Sequence, residues 1–142
     1  MKRKTVLVVD DDAKQVAALS IRLKSAGFEV LGARDGLEGL KLAMSNKPDL
    51  VIIDMWMPGN IGSLVAERLK HVGLGHVPVI FLTASKKTDV WRMTEEVEPV
   101  AFFEKAYNSK QLLDAIREFI GATPALSARA EVKSQNRQAT ER

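Results

Sequence analysis

Three consecutive aspartates, Asp10, Asp11 and Asp12, a fourth at Asp54, a threonine at Thr83 and a lysine at Lys105 are the side chains with which this sequence could do chemistry. Each follows an apolar run. Clustered carboxylates repel one another unless a cation lies among them. A set of hard oxygen donors, in a chain with no cysteine and two histidines, suits a magnesium ion that keeps part of its water. Lys105 would add a fixed positive charge and Thr83 a hydroxyl, both suited to the oxygens of a phosphoryl group in transfer. Asp54 is the natural nucleophile, because a carboxylate forms an acyl phosphate once metal and lysine neutralise the incoming charge. Taken singly, each residue has a plain structural role: Asp12 caps a helix, Thr83 ends a strand, Lys105 is a solvated charge. Stability alone gives no reason for all of them to stand at the carboxyl ends of different predicted strands.

The elements that position them alternate along the chain. Val6 to Val9 reads as a buried strand, and Asp12 with Gln15 has capping-box spacing for a helix carrying Val16, Leu19 and Leu23 inward. Gly27 ends it. Phe28 to Leu31 is a second strand, and Asp35 with Glu38 opens a helix expected to bury Leu37, Leu40 and Met44. Pro48 closes that unit. Leu50 to Ile53 is continuously apolar, as a central parallel strand buried on both faces requires. A loop with Pro58, Gly59 and Gly62 follows Asp54, then a helix near residues 63–71 and a fourth strand over Val79 to Leu82. A fourth helix uses Val90, Met93 and Val97. Val100 to Phe103 is the last strand, and Asn108 with Gln111 precedes a fifth helix burying Leu112, Ile116 and Phe119. Five strands alternating with five helices predict a doubly wound α/β domain with a parallel sheet, whose chemistry gathers at the carboxyl ends of the strands.

The bulk properties agree with a single domain. The chain has 142 residues, 46% hydrophobic and 27% charged, which is near the average for globular proteins and argues against disorder or membrane spanning. Lys2, Arg3 and Lys4 before Val6 to Val9 resemble a signal peptide only superficially, since the apolar run is short and aspartates follow it; a cytoplasmic protein is expected. The formal net charge is +3, and two of those charges fall in residues 121–142. No aromatic interleaving or helix-turn-helix pattern accompanies them, so direct nucleic-acid binding is not expected. Residues 1–121 are assigned to the domain and 122–142, polar and without hydrophobic period, to a flexible tail or linker.

Four motifs, VLVVDDD at 6–12, DMWMPG at 54–59, FLTAS at 81–85 and FFEK at 102–105, resemble in order and spacing the response-regulator receiver domains of two-component signalling. The resemblance covers residues 4 to about 120. It implies a flavodoxin-like, CheY-like fold with strand order 2-1-3-4-5. It further implies Mg2+ held by Asp11, Asp54 and the backbone carbonyl of Trp56, with Asp10 acting through a metal-bound water. Asp54 would accept the phosphoryl group from a histidine kinase or phosphotransfer protein, and Thr83 and Lys105 would hold its oxygens. In the family's switch the Thr83 hydroxyl turns inward, Phe102 follows, and the face of the fourth helix, fifth strand and fifth helix changes for an output partner or a homodimer. Such a protein catalyses only its own phosphorylation and dephosphorylation.

Three departures stand out. Ala106 replaces the proline usual after the lysine, and because a non-proline cis bond costs about 2.5–4 kcal/mol, a trans bond or a rearranged loop is expected there. Asn60 and Ile61 replace the common pair before Gly62. Trp56 puts a bulky aromatic two residues past the acceptor. Trp91, with Phe103 and Tyr107, is either half-buried or part of a partner surface. Three other readings stay open: a haloacid-dehalogenase-like magnesium phosphatase using Asp10-Asp11-Asp12, whose further acidic pair would have the spacing of Asp114 and Glu118 although these fall inside the predicted last helix; a pseudo-receiver that only binds; and a fragment of a longer regulator. If Trp56 hinders the hydrolytic water, Trp56→Asn loses its acyl phosphate faster than the wild type. Equal rates of autodephosphorylation leave the side chain with no gating role.

Overall fold

A strand that is apolar on both faces can satisfy its backbone only through neighbouring strands and must be covered by helices on both sides. In the computed structural model, which describes residues 3–57, 60–83, 101–104 and 108–121 and gives residues 56, 57, 60, 61 and 63 by backbone alone, three such runs form the sheet centre. β1 (Thr5–Val9), β3 (Leu50–Asp54) and β6 (Val79–Thr83) lie side by side, flanked by β2 (Glu29–Ala33) and β7 (Ala101–Glu104), in the order β2-β1-β3-β6-β7. Every pairing in this sheet is parallel. With the short hairpin set aside, that is the expected order 2-1-3-4-5. The hairpin pairs β4 (Trp56–Met57) with β5 (Asn60–Ile61) antiparallel, a structured closure where a plain loop was expected.

The sheet divides the core in two. Leu7, Val9, Val51, Ile53 and Phe81 face one layer; Val6, Val8, Leu50, Ile52, Ile80 and Leu82 face the other. This alternation follows from the period of two along a strand. The first layer is covered by α2 (Gly36–Asn46) and α3 (Gly62–Leu69). The second is covered by α1 (Ala13–Ser25) and the last helix, α4 (Ser109–Ile120). At the surface beside the second layer, Arg22 of α1 donates a hydrogen bond to the Ser109 hydroxyl at the start of α4. The expected helix carrying Val90, Met93 and Val97 lies outside the described residues, as do Trp91, Lys105, Ala106, Tyr107 and residues 122–142.

All three capping positions read from the sequence are occupied as caps. Asp12 accepts from the Lys14 N–H at 3.0 Å, Asp35 from Glu38 N–H at 2.8 Å, and Asn108 from Lys110 and Gln111 N–H at 2.9 and 3.2 Å. Each satisfies donors that a helix leaves open at its first turn. At the opposite edge of the sheet the Asp49 carboxylate accepts the Thr5 N–H at 2.7 Å, tying the start of β1 to the turn before β3.

Several expectations are corrected. α2 does not bury Leu37 and Met44, which are 58% and 52% exposed; its inward residues are Gly36, Gly39 and Ala43, with Leu40 half-buried. The helix lies so close to β1 that a Cβ on Gly39 would sit 2.8 Å from Val9 Cγ2. Small residues, not large ones, therefore define its packing face. Phe119 is 40% exposed, leaving Leu112 and Ile116 as the anchors of α4. The second strand begins at Glu29, one residue after the buried Phe28. α3 continues as a wide turn over Lys70–Leu74, broken by Val72 and by Gly73 at φ 86°, so the helix read near 63–71 loses its regular geometry in its last turn.

Ile52→Ala, at the centre of the second layer, is expected to cost about 2–5 kcal/mol. Met44→Lys is expected to change stability by no more than about 0.5 kcal/mol. Urea unfolding, with the transition slope unchanged, measures both.

Candidate functional site

In parallel pairing the register of adjacent strands decides which residues meet at the sheet edge. Val9 is opposite Ile53 in the β1–β3 register, so Asp10 and Asp54 emerge side by side. Asp54 in turn is opposite Leu82, and Thr83 is the next residue on β6. Asp10, Asp54 and Thr83 are buried, at 0%, 2% and 0% exposure, and they are the buried polar residues among those described. Three polar side chains at one edge of an otherwise apolar sheet centre carry a desolvation cost that packing does not require.

One carboxylate oxygen from each of Asp10, Asp11 and Asp54 lies within 4.8 Å of the others. The group thus joins the carboxyl ends of β1 and β3 from either side of the cleft between them. Asp10 Oδ1 accepts the Asp12 N–H at 3.0 Å, and the Asp10 N–H donates to the Ala33 carbonyl at 3.0 Å. These bonds hold the turn after β1 against the end of β2. Asp12, third in the run, points away as the cap of α1. The donor set is carboxylate oxygen throughout, which fits a small hard divalent cation and not a soft or imidazole-seeking metal. Of the residues read from the sequence, Asp10, Asp11, Asp54 and Thr83 meet at this edge. The Trp56 backbone enters β4 two residues past Asp54, while Lys105 and Ala106 lie outside the described residues.

Phe102 is 6% exposed, and its ring stacks on Phe81 with centroids 5.6 Å apart and planes inclined by 26°. The two residues are opposite one another on β7 and β6, and both belong to the layer under α2 and α3. Phe102 therefore occupies an inward position in this conformation. Asp114 and Glu118, the acidic pair that a phosphatase reading needs at a strand end, lie within α4. Asp114 is 3.8 Å from the Arg117 guanidinium on its own helix.

Two features of the site were not read from the sequence. Arg34, just past β2, reaches across to donate from Nε to the Asp11 carbonyl at 3.4 Å. The strand order is the signal that could have found it, because β2 neighbours β1 and their carboxyl ends share an edge. Met55, directly after Asp54, is fully buried; its N–H donates to the Leu82 carbonyl and its carbonyl accepts the Gly62 N–H, each at 2.8 Å. The chain on the far side of Asp54 is thus held as firmly as the strand before it.

Comparison with known proteins agrees with this geometry. The family model for the response regulator receiver domain matches residues 6–117. The phosphate regulon transcriptional regulatory protein PhoB of Pseudomonas aeruginosa is 31% identical over 87% of this chain and 54% of its own length. Sporulation initiation phosphotransferase F of Bacillus subtilis is 27% identical over 84% of this chain and 96% of its own. The chain thus spans about half of the first relative and nearly all of the second. Among solved structures, chemotaxis protein CheY4 of Vibrio cholerae superposes with a TM-score of 0.78 at 26% identity, covering 83% of this chain and 99% of that one. With the parallel sheet, its strand order and the aspartates at its carboxyl edge already in place, the chain belongs to the response regulator receiver domain family of two-component signalling.

Proposed function

We propose that Asp54 accepts a phosphoryl group from the phosphohistidine of a histidine kinase or phosphotransfer protein, in a magnesium-dependent reaction, and that residues 1–121 form the receiver domain that carries it. The observation that carries this reading is the meeting of Asp10, Asp11 and Asp54 within 4.8 Å at one sheet edge, beside the buried Thr83. Asp11, Asp54 and the Trp56 carbonyl would hold the cation, with Asp10 reaching it through water. When bound, magnesium neutralises the carboxylates and draws charge from the phosphoryl oxygens. An Asp54 oxygen attacks phosphorus in line with the donor nitrogen. The new O–P bond forms as the P–N bond breaks, and that bond's electron pair returns to the imidazole. Thr83 contacts one phosphoryl oxygen, and Lys105, directly after β7, contacts another. No general base is required, since the attacking group is a carboxylate whose charge the bound cation would balance.

The switch reading assigns Thr83 and Phe102 to the transmission of this event, with the face of β7 and the last helix as the surface that an output partner or a second copy reads. Phe102 supports it by its place opposite Phe81, two register positions from Thr83 and on the same face of the sheet. The chain's work is signalling and not metabolic turnover, in keeping with its family. Among the described residues no helix is long and apolar enough to cross a membrane.

Acetyl phosphate with magnesium is expected to label the wild type, and the label is expected to be absent from Asp54→Asn and after chelation of the metal. A label that survives in Asp54→Asn and disappears in Asp10→Asn would overturn this reading in favour of a dehalogenase-type phosphatase. The close carboxylates also predict a stability effect of their own. Asp11→Asn removes one repelling charge and is expected to raise the stability of the metal-free protein by about 1 kcal/mol. It should at the same time reduce the stabilisation that added magnesium provides. Thermal melts with and without the metal read both.

A further inference from the structure

Directly behind the acceptor the structure leaves no room for a side chain. A Cβ on Gly62 would lie 2.5 Å from the Asp54 carbonyl oxygen, 2.9 Å from Ile53 Cγ2 and 3.0 Å from Met55 Cα. Two of these three atoms are backbone, and that backbone is fixed: Asp54 is the last residue of β3, and Met55 is bound through its N–H to the Leu82 carbonyl at 2.8 Å. Strand β3 cannot retreat, because β1 and β6 hold it on both sides. Gly62 does not have a positive φ, so the requirement is for space and not for an unusual backbone conformation.

Gly62 is also where the hairpin closes. Its N–H donates to the Met55 carbonyl at 2.8 Å, and between these two residues run β4 and β5, with Trp56 opposite Ile61 and Met57 opposite Asn60. The carbonyl of Trp56 is therefore carried on a loop whose two ends meet at a contact that only glycine permits. A methyl group at position 62 would have to push the start of α3 away from the end of β3, and the hairpin would move with it.

From this contact we propose that Gly62 is a positioning residue for the phosphoryl-transfer site: by closing against the Asp54 carbonyl, it sets the placement of the Trp56 carbonyl relative to the Asp10, Asp11 and Asp54 carboxylates. This rests on the magnesium reading above. Gly32 supplies a control, because a Cβ there meets only a side-chain atom, Val16 Cγ1 at 2.8 Å, so that the adjustment falls on α1 and not on the backbone around Asp54.

Magnesium affinity measured by titration calorimetry separates this role from a merely structural one. Both Gly62→Ala and Gly32→Ala are expected to lower the melting temperature without metal. Gly62→Ala should weaken magnesium binding by about tenfold or more, and Gly32→Ala by no more than about twofold. A Gly62→Ala protein that binds magnesium as the wild type does overturns the inference and leaves the magnesium reading intact; a wild type that binds none overturns both. Hydrogen exchange on the wild type tests the same idea without a variant. The Gly62 amide should exchange more slowly when magnesium is added, while the Val77 amide, bonded to Leu74 at the other end of the sheet, should not change. An unchanged Gly62 amide in a protein that binds the metal also overturns the inference.

Discussion

Like charges resist being brought together, and the architecture of this domain depends on how that resistance is overcome at one sheet edge. Three carboxylate oxygens within 4.8 Å, two of them on residues shut away from solvent, are a local destabilisation that backbone pairing and two apolar layers must outweigh. The parallel register makes the arrangement unavoidable once β1 lies beside β3. Every ladder bond between β1 and β3 also holds Asp10 beside Asp54. The fold thereby stores a demand for positive charge at one defined place, which the proposed cation would answer.

Much of this was legible in the sequence, for reasons tied to particular residues. The runs at Val6, Leu50 and Val79 are too uniformly apolar to be anything but central strands, and the polar residues that end them had to share an edge. Asp12, Asp35 and Asn108 announced helix starts because a short side chain with an oxygen acceptor reaches a free N–H there and gains less elsewhere. The inward face of α2 was not legible in the same way. Periodicity weights large apolar residues, and Leu37, Leu40 and Met44 outscored the glycines and alanine that in fact meet the sheet. Close approach of a helix selects for the absence of side chain, which leaves no hydrophobic signal to read.

The site shows a parallel division. The residues of the carboxylate cluster, Asp10, Asp11 and Asp54, could be named from type and position. Those that act by where they place backbone could not. Gly62 looked like a loop residue until the Asp54 carbonyl was found against it, and the Arg34 contact with Asp11 exists only because β2 is folded next to β1. Both depend on distances between segments far apart in the chain, which local pattern does not encode.

The hydrogen bonds of Asp12 have a mechanical meaning. Its N–H is held by the carboxylate of Asp10, and its own carboxylate holds the N–H of Lys14 at the first turn of α1. One residue therefore joins the acidic cluster to the end of a thirteen-residue helix. The first turn of α1 is in this sense two hydrogen bonds from the charge of the site.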